Sequence, residues 1–152
     1  MRRRACTMIE YRMRRISPIL ILLSCAGCGQ AGPDAGTAQR PRIIVAGVVG
    51  DADAGARLFV QCKACHTVGA TAPDTDGPNL HGVVGGPVAQ RRPRFAYTAA
   101  LQATGGVWDV ARLDAWLRDP RAAVPGTTMR FAGLADPQQR ADVIAYLALQ
   151  DD

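Results

Sequence analysis

The chain is 152 residues long, enough for one domain of ordinary size and a tail. Its formal charge of +5 comes entirely from the first thirty residues, where six Arg face a single acid, Glu10; of 18 basic and 13 acidic residues, twelve of each remain in the body. A charge-neutral body excludes the basic surface that nucleic acid or an acidic membrane would demand.

The chain begins with a basic stretch through Arg15, continues as an apolar run from Ile16 to Leu23 interrupted by Ser17 and Pro18, and reaches Ser24-Cys25-Ala26-Gly27-Cys28. Residues 1–28 therefore read as an export signal. The apolar run is roughly half of the twenty or so residues that a membrane-spanning helix needs. A cysteine directly after the small residues that end such a leader resembles the lipobox of bacterial lipoproteins. Cys28 has the better small pair before it, whereas Cys25 has the preferred Leu22 three places upstream, so Cys28 (or Cys25) is the expected lipidation site. Ordinary cleavage to a soluble product is the alternative. Glu10 and Tyr11 inside the basic region point to Met8 or Met13 as the true start, which would remove Cys6.

Residues 29–50, rich in Gly, Ala, Pro and small polar residues, are read as a flexible tether; Ile43-Ile44-Val45 and Val48-Val49 are either a short strand or a segment packed on the domain edge. Residues 51–152 then form the folded domain. All seven aromatics beyond the leader lie between Phe59 and Tyr146, which implies one core. Few aromatics in so small a domain leave room for something else in the middle.

Helix signals run through this domain. Asp51 caps a helix leading toward Cys62, Asp109 caps one that carries Leu113, Trp116 and Leu117 and ends at Pro120, and Asp136-Pro137 opens a last helix with Val143, Ile144 and Leu147. Strand signals beyond residue 50 are weak. The expected class is all-α.

Cys62-Lys63-Ala64-Cys65-His66 carries the chemistry. On a helical turn the two cysteines share one face, and the histidine after them reaches the same bound object. Those are the requirements of haem c, one haem held by two thioethers and ligated at iron by the adjacent imidazole. Zinc would need two more ligands, and His81 is the only further Cys or His beyond residue 61. A thioredoxin-type dithiol would need alternating strands and helices. A Cys62–Cys65 disulfide would leave His66 unexplained. With the leader removed, Met129 is the only thioether left, in the Pro125-Gly126-Thr127-Thr128-Met129 loop, and by elimination it is the second axial ligand; alone, a loop Met more often fills a core gap. Metal ligation is thus assigned to His66 and Met129.

Over roughly residues 50–150 the sequence resembles class I cytochrome c of mitochondria and bacterial periplasms. The resemblance rests on Gly55 and Phe59, Cys62 to His66, Gly77-Pro78-Asn79-Leu80-His81-Gly82, Phe95 and Tyr97, Trp108, and Pro125 to Met129 with Phe131. It implies a small fold of about three to five helices wrapped around one covalently bound haem, with the first and last helices crossing at Gly55 beside Phe59 and Tyr146. It also implies that the Pro78 carbonyl accepts from His66, that Tyr97 and Trp108 hydrogen-bond a haem propionate, and that Trp116 stands where the family has a Tyr. Core packing is the better reading of Trp116. One departure stands out: Gly85-Gly86 occupies the place where the family often has Gly-Arg, and Arg91, Arg92 and Arg94 are the nearby cations that could serve a propionate, unless they form a solvated loop.

Iron with both axial positions filled by protein has no open site for substrate but still exchanges an electron through the haem edge. The expectation is an electron carrier rather than an enzyme. It would sit in the periplasm and take single electrons from a quinol-linked complex or dehydrogenase for an oxidase or reductase, without nucleic acid and with the membrane touched only through a lipid. The alternatives are a haem-based sensor or peroxidase-like protein in which Met129 dissociates, and a fixed subunit of a larger respiratory complex. The first would need a distal acid-base group, and His81 reads as a loop residue.

Overall fold

A computed structural model describes residues 41–150; the leader with Cys25 and Cys28, and most of the tether, lie outside the described residues. Among the described residues, five α-helices account for most of the regular structure: α1 (Ala52–Leu58), α2 (Ala99–Thr104), α3 (Val110–Arg118), α4 (Pro120–Ala123) and α5 (Pro137–Leu147). A 3₁₀ segment, Phe59–Ala64, continues α1, and two short antiparallel strands, β1 (Ile44–Val45) and β2 (Val48–Val49), precede it. The helical class holds, with a small hairpin added.

Local chemistry sets each helix start. The Asp51 carboxylate accepts from the Asp53 and Ala54 amides at 2.8 and 3.0 Å, and Asp109 accepts from Arg112 at 2.7 Å. Each replaces a partner that the first helical turn lacks. Pro120 does not simply terminate α3. It opens α4, while Asp119 ends α3 and caps α4 through the Arg121 and Ala122 amides, both at 3.0 Å. Proline suits this first position because its missing N–H would be unpaired there anyway.

The centre is the crossing of α1 and α5. A Cβ on Gly55 would fall 2.5 Å from the Asp142 carbonyl carbon and 2.8 Å from the Tyr146 Cβ, so only glycine lets the two backbones meet. Phe59, with no exposed surface, stacks tilted on Tyr146 at 5.1 Å between ring centroids. Val143 and Ile144 from α5 and Leu113 and Leu117 from α3 complete the core.

The folded body starts earlier than residue 51. Ile43 and Val45 are 7% and 3% exposed and belong to the core, and the segments excepted from the tether form a hairpin that also packs on the domain. Ala46 and Gly47, at φ 48° and 84°, make the tight turn, and the register pairs Ile44 with Val49. Gln138 is the lock: its side-chain amide donates to the Val49 carbonyl and to the Asp142 carboxylate, both at 2.8 Å. That carboxylate also accepts the Asp51 amide at 2.8 Å. Gln138 therefore ties β2 to α5.

Candidate cofactor site

The last turn of the 3₁₀ segment holds Cys62, and Cys65 caps its end. The Cys62 carbonyl accepts from the Cys65 amide at 3.1 Å and from the His66 amide at 2.9 Å, so the backbone coils tightly and then leaves the helix at His66. Cys62 is half-buried and Cys65 exposed, and neither is in a disulfide. Burial pushes the Cys62 thiol up to about 11, which keeps it protonated and unlike the acidic thiol of a redox dithiol.

His66 is fixed by two contacts. Its Nδ1 donates to the Pro78 carbonyl at 2.8 Å, which leaves Nε2 with the free lone pair. Gly77 lies beside the same Nδ1–Cε1 side of the ring. A Cβ there would overlap the imidazole, 2.7 Å from Nδ1, and would stand 3.0 Å from the Cys65 carbonyl oxygen. Burial lowers the His66 pKa below the ordinary imidazole value, against the opposing pull of the Pro78 carbonyl, so the ring is neutral near pH 7.

What holds Pro78 in place is a loop built around Asn79, only 3% exposed. Its side-chain amide donates to the Gly69 and Ala72 carbonyls, both at 2.8 Å, its side-chain oxygen accepts from the His81 amide at 2.7 Å, and its own amide reaches Asp74 at 2.8 Å. Asp74 in turn accepts from Arg92 Nε at 2.7 Å. Burial acts to raise the Asp74 pKa, but the Asn79 amide and the Arg92 guanidinium outweigh it and hold the carboxyl below the usual range. Sequence reading quoted Asn79 only as part of a motif and missed the Asp74–Arg92 pair, since eighteen residues separate the two and no local pattern links them.

Tyr97 sits on this pair. Burial raises its pKa, and the Arg92 backbone works against that rise. Its ring packs edge-on against Phe95 at 5.0 Å. Trp108, 8% exposed, is stitched to the Gly85-Gly86 turn: its amide donates to the Gly86 carbonyl and its carbonyl accepts from Gly85, both at 2.8 Å. Trp116 meets Trp108 edge-on at 5.3 Å and packs against the core, in line with the packing role expected of it.

Met129 is half-buried in a loop hung from α3 and α4. The Val124 amide bonds Pro120 at 3.0 Å, the Leu134 amide bonds Leu117 at 2.8 Å, and the Met129 amide bonds the Thr127 hydroxyl at 3.2 Å. Beyond it Arg140, 4% exposed, donates to the Leu134 and Ala135 carbonyls at 2.8 and 2.7 Å and pairs with Asp114 on α3 at 2.5 Å.

The donor set suits haem and not zinc. Among the described residues no three His, Cys, Asp or Glu side chains converge on one point, whereas two neighbouring thiols followed by a neutral imidazole with one committed nitrogen are what a covalently bound haem takes. The sequence model of the cytochrome c family matches residues 52–150. Cytochrome c2 of Rhodomicrobium vannielii is 52% identical over 101 residues, covering 66% of this chain and 80% of that protein. Cytochrome c2 of Rhodoblastus acidophilus is 39% identical over 99 residues, 65% of this chain and 92% of that one. The solved structure of cytochrome cH from Methylobacterium extorquens superposes with a TM-score of 0.62 at 44% identity, covering 66% of this chain and 99% of its own.

Proposed function

The chain belongs to the cytochrome c family, and from that membership we propose how its own residues hold the haem and pass single electrons. It carries one haem joined covalently through the Cys62-to-His66 motif and is an electron carrier, not an enzyme. The haem supplies reversible one-electron chemistry at its iron. Cys62 and Cys65 would hold the haem through two thioethers, and His66 Nε2 and the Met129 sulfur would ligate its iron.

The observation that carries the assignment is the His66–Pro78 hydrogen bond. It commits Nδ1 to donation, holds the ring against Gly77 and strengthens Nε2 as a ligand. A sulfur ligand on the other side favours the reduced ion and raises the potential. Pro78 acts as the orienting acceptor, and Tyr97 and Trp108 would hydrogen-bond a haem propionate. Residues 43–150 form the haem domain, with an export signal over residues 1–28 and a tether to about residue 42.

No helix among the described residues is long and apolar enough to cross a membrane. The protein works in the bacterial periplasm, held to a membrane by a lipid on Cys28 (or Cys25), and takes electrons from a quinol-linked complex or dehydrogenase for an oxidase or reductase. Mass spectrometry of the mature amino terminus names the acylated cysteine; an unmodified terminus overturns the anchor.

The deciding experiment is the visible spectrum of the purified ferric protein beside Met129→Ala. The weak far-red band of iron–thioether ligation is expected in the first and absent from the second. Its survival in Met129→Ala removes Met129 from the ligand set.

A further inference from the structure

The resemblance to class I cytochrome c leaves one charge unaccounted for: Gly86 stands where an arginine is often found, so a propionate carboxylate would lack its cation. Three arginines follow within eight residues, and the structure treats them differently. Arg92 is committed, with Nε on the Asp74 carboxylate at 2.7 Å and Nη2 within 3.4 Å of the Ala72 carbonyl. Arg94 is exposed and makes no ion pair among the described residues. Arg91 instead folds back over the turn that precedes it. Its Nε donates to the His81 carbonyl at 3.1 Å, and its guanidinium lies so close over Gly82 that a Cβ there would fall inside it. Its Cδ lies 2.6 Å from the place a Cβ on Gly86 would occupy.

The Arg91 stem thus fills the space that a side chain at Gly86 would take. Gly86 and Gly85 are the residues whose backbones pair with Trp108, so Arg91 and Trp108 meet the same two-residue turn. The guanidinium has five N–H donors, one of which goes to His81, and it has no carboxylate partner among the described residues. It is a cation delivered to the Trp108 turn with no carboxylate partner among the described residues. Arg94 is not so placed, and Arg92 is neutralised.

We infer that Arg91, reaching back from five positions downstream, supplies the positive charge for the haem propionate at the Gly86 turn. This rests on the assignment of that turn and Trp108 to the propionate edge. Two glycines at 82 and 86 are then a requirement of the design: either side chain would evict the guanidinium.

The test is potentiometric titration of the purified holoprotein as wild type, Arg91→Lys, Arg91→Met, Arg91→Gln and Arg94→Met. Removing a nearby cation disfavours the added electron, so both neutral Arg91 variants should titrate at lower potential. Because Arg91 remains accessible to solvent, the expected effect is about threefold to tenfold in the ferrous-to-ferric ratio at fixed ambient potential, shrinking in 1 M salt. Arg91→Lys should stay within about twofold of wild type, a rescue that a purely structural role for the arginine would not give. A neutral Arg91 variant with wild-type potential overturns the inference, as does an Arg94→Met shift of equal size. A wild-type protein without covalently bound haem fails at the earlier step, and its absorbance separates that failure from this one.

Discussion

Replacing Gly77 by Ala tests the geometry on which the ligand assignment depends. The new methyl would stand 2.7 Å from His66 Nδ1 and 3.0 Å from the Cys65 carbonyl oxygen, and neither neighbour can retreat. His66 is the residue next to a covalently held cysteine, and its Nδ1 is bonded to Pro78 at 2.8 Å. Overpacking of this kind costs about 1–3 kcal/mol, and a lost hydrogen bond adds about 1 kcal/mol. The reduced freedom of the unfolded chain returns roughly 0.4–1 kcal/mol. The net is about 2 kcal/mol, or roughly 10 °C in melting temperature for a domain of this size. The reduction potential should also rise, because an imidazole without its acceptor is a weaker donor to the ferric ion. Gly69→Ala is the control: it lies in the same loop, and its nearest neighbour would be the Ala72 Cβ at 3.4 Å, an ordinary contact. Thermal melts and redox titrations of the two holoproteins decide the matter. If Gly77→Ala melts with Gly69→Ala and keeps the wild-type potential, the close packing of Gly77 on His66 has no functional consequence and the reasoning fails.

Other consequences are measurable. Gly55→Ala forces α1 and α5 apart at backbone atoms; overpacking of about 3 kcal/mol, less roughly 1 kcal/mol of gained helix propensity, should appear as a lower urea midpoint, and an unchanged midpoint would mean the helices can part freely. Asp114→Asn leaves Arg140, 5% exposed, without its carboxylate; since Asp114 itself is 21% exposed, the cost should fall near the low end of the range for broken buried pairs, about 3 kcal/mol, read by urea denaturation. Asp74 has a native pKa held below its unfolded value, so the stability it contributes is full above the ordinary carboxylate range and is lost as pH falls through the native value. Asp74→Asn should therefore be less stable than wild type at pH 6 and converge on it in strong acid; parallel stability curves would refute this. Balanced charge in the body predicts weak electrostatic steering, so the rate of reaction with a redox partner should change only gently with salt, and a steep fall would contradict it.

The amino-acid sequence by itself determined the chemistry, because it is local. Two thiols and an imidazole within five residues can serve one ligand only through the geometry of a single turn, and capping side chains such as Asp51, Asp109 and Asp136 act within three residues of themselves. The helical class and the haem were legible for that reason. The sequence offered Ile43-Ile44-Val45 and Val48-Val49 as a strand or as an edge segment without choosing, because the choice depends on the core surface that buries Ile43 and Val45. Nor could the sequence show which of three clustered arginines is committed to a carboxylate among the described residues and which folds back over the Gly86 turn. Arg92 is neutralised by Asp74 eighteen residues away, and Arg91 by folding back reaches a turn that its own position does not adjoin. Partners so far apart along the chain are chosen by how loops close over the core, so only the tertiary structure could tell a committed guanidinium from an available one.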